Sequence, residues 1–302
     1  MKVESVLFPS GIVGQKIRYL EYGLNRIGIK TTATTKIDET KAAVPVDVKY
    51  SSGRVVRVFV DISVKKSNID RARADGRSVY FKTHYNTDLL SEKQRIFPLP
   101  QAMGNIDFVD QLPILRRKRE RRVEFFYDVF GLFSYNPQRA MAVDIVKRMG
   151  IASFVGINKI PNSNRGATID PRILCPRISN ARFIAEMSRS ALAISFPSYR
   201  GFKGGGPWCS FRHVEAWAVG TPVVTIKPRA YAVIGNPTPF WFETKDDLSD
   251  LSDVIRSALA DERIRKEFSA RSVAYFDEYH HPESVARYFL RTIEKAIDDD
   301  GQ

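Results

Sequence analysis

The chain has 302 residues, with 47 Lys and Arg against 34 Asp and Glu for a net charge of +13, and 43% of it is hydrophobic. That length and apolar content suffice for two α/β domains, and a charged fraction of 27% is ordinary for a globular chain, which excludes a disordered one. The only two cysteines, Cys175 and Cys209, make no disulfide framework and read as reduced thiols.

Val3 to Phe8 is apolar-rich and predicts a strand, and Ser10-Gly11-Ile12-Val13-Gly14 predicts a turn. Ile17, Leu20, Leu24 and Ile27 then carry helical spacing over Gln15 to Ile27. Gly28 ends that helix, and Ile29 to Thr35 predicts a second strand. Such an opening suits a doubly wound domain, whose ligands bind beyond the carboxyl ends of the strands. Gly11 and Gly14 alone do not make the three-glycine dinucleotide fingerprint. The first residues lead straight into this pattern, so no signal peptide is read there. No run of about 18 apolar residues follows anywhere, and the expected address is cytoplasmic. Further strands are predicted at Val55–Ile62 and Val79–Thr83, with a short helix around Arg71-Ala72-Arg73-Ala74 between them.

A basic run, Arg116-Arg117-Lys118-Arg119-Glu120-Arg121-Arg122, separates the two halves. It reads either as a phosphate-binding strip or as a solvated interdomain linker. A second α/β set begins with a strand at Val123–Phe130, a helix at Gln138–Met149 and a strand at Ile151–Ile157. A polar loop from Asn162 to Arg177 leads to a helix at Asn180–Arg189 and a short apolar strand at Ala191–Phe196. The glycine-rich stretch Arg200 to Pro207 follows. Ser210 can cap the next, short helix, Gly220 stops it, and Pro222–Ile226 is the next strand. Helices are predicted at Leu248–Ala260, Glu262–Tyr279 and Pro282–Ile297.

Arg212 and Glu215 are three apart and share a face near the start of that short helix. The amino end of a helix carries unpaired N–H groups and the positive end of the dipole, which suits a phosphate. The competing reading is a solvated ion pair of little consequence.

The segment Arg212-His213-Val214-Glu215-Ala216, followed by Gly220-Thr221-Pro222-Val223-Val224, resembles the nucleotide-sugar site of GT-B glycosyltransferases, particularly the exostosin-like group. The resemblance covers Val123 to Ile226 well and the first half weakly. It implies an α/β fold of two facing Rossmann-like domains with a cleft between them and a C-terminal helix returning to the first. The matching division is 1–120 for the acceptor domain, 121–281 for the nucleotide-sugar domain and 282–302 for the returning helix and tail. By this resemblance Glu215 holds the donor ribose and Arg212 supports the diphosphate. Arg139, at the start of its helix, and Lys203, among glycines, are further candidates for the phosphates. Gly204 and Gly205 would let the loop close on the donor, with Ser210 beside it.

The co-substrate implied is a nucleoside-diphosphate sugar, expected to be a UDP-sugar, with no other cofactor and no metal. The leaving group would be stabilised by basic side chains and helix ends. For the base that takes the acceptor proton, His84 and Asp61 both follow or end predicted strands of the first half, with Asp128 behind them. The positive surface suits a polyanionic acceptor: a glycan, a lipid-linked glycan at a membrane face, or DNA. A DNA-modifying glycosyltransferase and a catalytically silent binder of nucleic acid or anionic surfaces are the alternatives. Other chemistries lack their motifs. The sequence has no P-loop and no Gly-x-Ser-x-Gly elbow, and His280-His281 has no third ligand at metal spacing. Asp298-Asp299-Asp300 reads as a polar tail.

Overall fold

The structure, a computed structural model, describes residues 2–9, 17–34, 43–61, 74, 76–83, 94–122, 124–161, 168–196, 210–227, 235 and 237–298. Its first sheet is built from β1 (Val3–Pro9), β2 (Lys30–Thr34), β3 (Ala43–Tyr50), β4 (Val55–Asp61), β5 (Val79–Lys82) and β6 (Ile96–Pro98). Their order across the sheet is β2-β1-β3-β4-β5-β6. Helix α1 (Arg18–Arg26) connects the parallel pair β1 and β2 and buries Tyr19, Leu20 and Leu24.

β3 is absent from the strands expected, and it runs antiparallel to both neighbours. Its alternation is plain once paired: Val44, Val46, Val48 and Tyr50 are fully buried, and the residues between Val46 and Tyr50 are half-exposed. Gly53, at φ +84°, makes the tight turn into β4. Pro45 argues against a central strand, because it cannot donate to a ladder. The described register between β1 and β3 reaches only Asp47, however, so Pro45 lies where β3 pairs β4.

The second sheet is wholly parallel, in the order β11-β10-β9-β7-β8. It comprises β7 (Tyr127–Ser134), β8 (Ser153–Lys159), β9 (Ser190–Ile194), β10 (Val223–Ile226) and β11 (Phe242–Thr244). β8 starts two residues later than expected, and β6 and β11, three residues each, lie outside the strands read from sequence. Gly131 in β7 is needed for close approach: a Cβ there would overlap the side chain of Ile194 in β9. The expected turn at 10–14 and most of the helix at 71–74 fall outside the described residues.

The basic run is helical. α2 (Leu112–Glu120) carries it, and two of its arginines turn inward. Arg116 donates to the carbonyl of Ala218 at 2.7 Å and grips Asp277 with two bonds of 2.9 Å. Arg119 is buried and donates to the carbonyls of Gly220, Ser188, Ser190 and Ala191, with its guanidinium over the Phe125 ring. Burial, with the charges of Arg122 and Arg265 beside it, lowers the Arg119 pKa to about 9, which still leaves it cationic at neutral pH. Arg117, Lys118 and Arg121 stay exposed. The run is therefore half clamp and half solvated face.

Helix α3 (Pro137–Arg148) follows β7, α4 (Asn180–Ser188) precedes β9, and α5 (Phe211–Ala218) precedes β10. After β11 come α6 (Leu251–Ala260), α7 (Glu262–Tyr275) and α8 (Pro282–Asp298), with α7 prolonged by a π turn over Phe276–His280. α8 returns to the first sheet and packs on α1. The approach is close enough to require Gly23, where a Cβ would overlap the carbonyl of Pro282. Phe289 of α8 meets Phe81 of β5 at 4.8 Å between ring centroids. His280, at the end of the π turn, donates from Nδ1 to the carbonyl of Gln101 at 2.5 Å and ties this crossing to the first half. Among the described residues, no helix is long and apolar enough to cross a membrane.

Candidate functional site

In a parallel sheet the crevice opens where the chain reverses its direction of winding. Here that point lies between β7 and β9, since β8 follows β7 on one side and β10 and β11 follow β9 on the other. A cavity of about 600 Å³ opens there, of a size that suits a nucleotide-sized ligand. Its walls are Leu132 to Ser134 at the end of β7, Asn158 and Lys159 at the end of β8, and Arg139 on α3. Ser210 to Arg212 and Glu215 on α5, and Phe183 on α4, complete the second-sheet side with Arg177, Ile178 and Asn180. Gly104 and Asn105 come from the segment that leaves the first sheet.

The spacing of Arg212 and Glu215 does what the sequence promised. Arg212 Nη1 donates to Glu215 Oε2 at 2.6 Å. The pair is not a solvated surface bridge, because the Glu215 side chain is 3% exposed while that of Arg212 is 41% exposed. The Arg212 guanidinium also lies over the Phe183 ring, 3.9 Å from its centroid. A nearly buried carboxylate is thus held at the cavity wall by a half-exposed cation. Asn105 completes the set, its Nδ2 donating to Glu215 Oε1 at 2.5 Å. Sequence reading missed Asn105, and no local pattern could have found it, since it lies 110 residues from its partner.

Arg139 lies in the cavity wall with its guanidinium turned to the backbone. It donates to the carbonyl of Phe196 at 3.1 and 2.8 Å and to that of Ser134 at 3.4 Å. It thereby ties the ends of β7 and β9 together. Asn136 caps its helix by accepting the Arg139 N–H at 2.8 Å. Burial, and then the positive charge of Arg212, lower the Arg139 pKa to about 10. Arg139 therefore stays charged at neutral pH, with Arg212 repelling it. Lys159 and Arg177 add two more cations to the wall, with Glu215 its only carboxylate among the described residues. Lys203, Gly204 and Gly205 lie outside the described residues.

Ser210 sits at the N-cap of α5 in extended conformation, with a capping partner that sequence rules do not expect. His213 occupies the place usual for Glu or Gln, and the Ser210 N–H donates to its Nδ1 at 3.2 Å. Nδ1 therefore accepts, and Nε2 carries the proton toward Thr225 Oγ1 at 2.9 Å. Ser195 Oγ, at the end of β9, completes the link to Nδ1 at 2.9 Å. His213 points away from Glu215 and pins α5 to β9 and β10.

Burial, and then the charge of Arg139, lower the His213 pKa from 6.5 to about 3. The unfolded chain takes up this proton near pH 6.5, the folded one only near pH 3. The unfolded state therefore binds more protons throughout that window, and stability falls as pH drops through it. His280, lowered to about 4 chiefly by burial, acts in the same direction. Urea titrations of His213→Gln at several pH values should show a shallower loss of stability between pH 6.5 and 3 than the parent shows. Equal slopes would mean that His213 is accessible to protons in the fold.

Asp61 does not open onto the cavity. Its side chain has no solvent exposure and is held by Lys82 Nζ at 2.9 Å and the Tyr80 hydroxyl at 2.6 Å. Asp61 and Lys82 are register partners at the carboxyl ends of β4 and β5. A base must reach the acceptor hydroxyl, and this carboxylate is fully buried beside an ammonium. His84, the other candidate base, lies outside the described residues. Asp128 sits near the amino end of β7, away from the cavity, and accepts from the Ala152 N–H. Among the described residues no cluster of three or more His, Cys, Asp or Glu side chains is placed to hold a metal ion.

No protein-family model matches this sequence, and no curated protein sequence does. Solved structures match the fold. The chain is similar to AviGT4, a glycosyltransferase involved in avilamycin A biosynthesis, at 12% identity and a TM-score of 0.54, over 95% of this chain and 91% of that one. It is also similar to the DNA modifying enzyme beta-glucosyltransferase, whose structure was determined in the presence and absence of uridine diphosphoglucose. That match has 13% identity and a TM-score of 0.48, over 99% of this chain and 100% of that one. Anabaena Alr3699/HepE in complex with UDP matches at 11% identity and a TM-score of 0.48, over 76% of this chain and 69% of that one. At such identities the likeness is one of fold. The chain has the GT-B fold that it shares with the glycosyltransferase AviGT4, two Rossmann-like sheets with a last helix that returns to the first.

Proposed function

We propose that the protein is a glycosyltransferase that moves a sugar from a nucleoside-diphosphate sugar, with Glu215 holding the donor ribose and Arg212 the diphosphate, as in the exostosin-like motif. The carrying observation is the cavity at the β7–β9 reversal, where, among the described residues, four cations and one nearly buried carboxylate share a wall. A diphosphate supplies the anion that Arg139, bonded only to carbonyls, has not met, and adds to the one carboxylate beside Arg212, relieving their repulsion. A carboxylate can accept about four hydrogen bonds, of which Arg212 and Asn105 use two. Those remaining suit the two hydroxyls of a ribose. As the sugar departs, charge grows on the diphosphate, and fixed cations then stabilise the transition state more than the ground state. This chemistry uses side chains where other transferases use a metal.

The acceptor in this reading is a polyanionic glycan or a lipid-linked glycan. Its support is the charge of +13 and the exposed Arg117, Lys118 and Arg121 on α2. The test is release of nucleoside diphosphate from UDP-, GDP-, CDP- and TDP-sugars, followed by chromatography with and without phosphorylated or lipid-linked glycans. One donor should be consumed, faster with its acceptor than with water alone. Intact donors under every condition would contradict an enzyme of this class.

A further inference from the structure

We infer that Asn105 is a positioning residue for Glu215, making nucleotide affinity depend on the segment that joins the two sheets; this rests on the donor-site reading above. Asn105 sits at the N-cap of a 3-10 turn (Ile106–Gln111), the place where an Asn side chain ordinarily accepts a backbone N–H. Here the side chain makes no such bond. Its amide reaches instead across the cavity wall to Glu215 Oε1 at 2.5 Å. A carboxylate can only accept, so the NH₂ end must face it.

The same segment then runs into α2 and holds the carboxyl end of α5. Arg116 donates to Ala218 and Arg119 to Gly220, the carbonyls at the carboxyl end of that helix. The linker therefore holds the donor helix at two places, at the side chain in its middle that would meet substrate and at the carbonyls of its carboxyl end. With Arg212 on Oε2 and Asn105 on Oε1, both oxygens of Glu215 are fixed and their remaining lone pairs have set directions. Without Asn105, one oxygen of a nearly buried carboxylate loses its donor and its orientation. Of the charged groups at the cavity, Arg212 shares the helix of Glu215, Arg139 comes from α3, and Lys159 and Arg177 line the wall. Among the described residues these are all cations. A second carboxylate at position 105 would put a like charge beside Glu215.

The experiment is calorimetric titration of the full chain with UDP, GDP, CDP and TDP, taking the tightest as probe, for the parent, Asn105→Ala and Asn105→Asp. Asn105→Ala should bind about tenfold more weakly, the loss of one hydrogen bond to a charged group. Asn105→Asp should bind more weakly still at pH 8 and recover toward the parent at pH 5.5, because the paired carboxylates then share a proton. That recovery is a signature a merely structural role would not produce. If Asn105→Asp fails to fold, Asn105→Gln replaces it, and its longer amide should restore part of what Ala loses. A parent that binds a nucleotide while all folded variants bind equally well would overturn the role of Asn105 and leave the donor site standing. A loss equal at both pH values, or no rescue by Gln, would also overturn it. A parent that binds none of the four would overturn both readings.

Discussion

Replacing Glu215 with Ala should weaken nucleotide binding by about 10- to 100-fold, the cost of losing one or two hydrogen bonds to a charged acceptor. The fold should survive, because Ala suits a helix interior and Arg212 keeps its seat on the Phe183 ring. Glu215→Gln should fall between the two, since it keeps one acceptor oxygen in place and loses the charge. Calorimetric titration, with the melting temperature as a check on folding, decides it. An affinity unchanged in Glu215→Ala would take the ribose role away from this residue. Affinity lost only together with the melting temperature would make Glu215 a structural partner of Arg212 and Asn105.

Asp61→Ala should be among the most destabilising substitutions in the chain, at about 3–5 kcal/mol, the usual cost of removing one partner from a buried ion pair. Lys82 has no solvent exposure, and burial already lowers its pKa against the pull of Asp61. Removing the carboxylate takes the counter-charge at 2.9 Å from the buried Lys82 ammonium and the acceptor at 2.6 Å from the Tyr80 hydroxyl. The double variant Asp61→Leu with Lys82→Met should recover much of the loss, since a well-packed apolar pair often equals a buried ionic one. Urea unfolding of the single and double variants measures both. A stable Asp61→Ala protein that had lost only activity would return Asp61 to the part of catalytic base.

What could be read from the sequence was local. The Arg212–Glu215 spacing, the Ser210 cap, the Gly220 stop at φ +74° and the last helix all rest on neighbours within one or two turns. β3 escaped because its evidence is a pairing: its alternation and the Gly53 turn gain meaning only when β1 and β4 flank it. The basic run misled for a different reason. Leu112, Leu115, Arg116 and Arg119 share one helical face, yet the arginines carry a charge that ordinarily marks solvent. What draws Arg119 inward is a ring of carbonyls from four residues, about seventy to one hundred positions away. Asp61 stands at a strand end as expected, but its ion pair was not legible, because Lys82 reaches it across the sheet from the next strand. Asn105 carries no local signal, and only the folded chain shows what its amide meets.

The most direct test of the central claim is calorimetric titration of the parent chain with UDP, GDP, CDP and TDP at low salt, followed by the same titration of Glu215→Ala. A donor site built from Arg212, Glu215 and Arg139 should bind one nucleoside diphosphate at one site per chain, with most of that affinity gone in the variant. No binding of any nucleotide by the parent, or binding that Glu215→Ala leaves untouched, would contradict it.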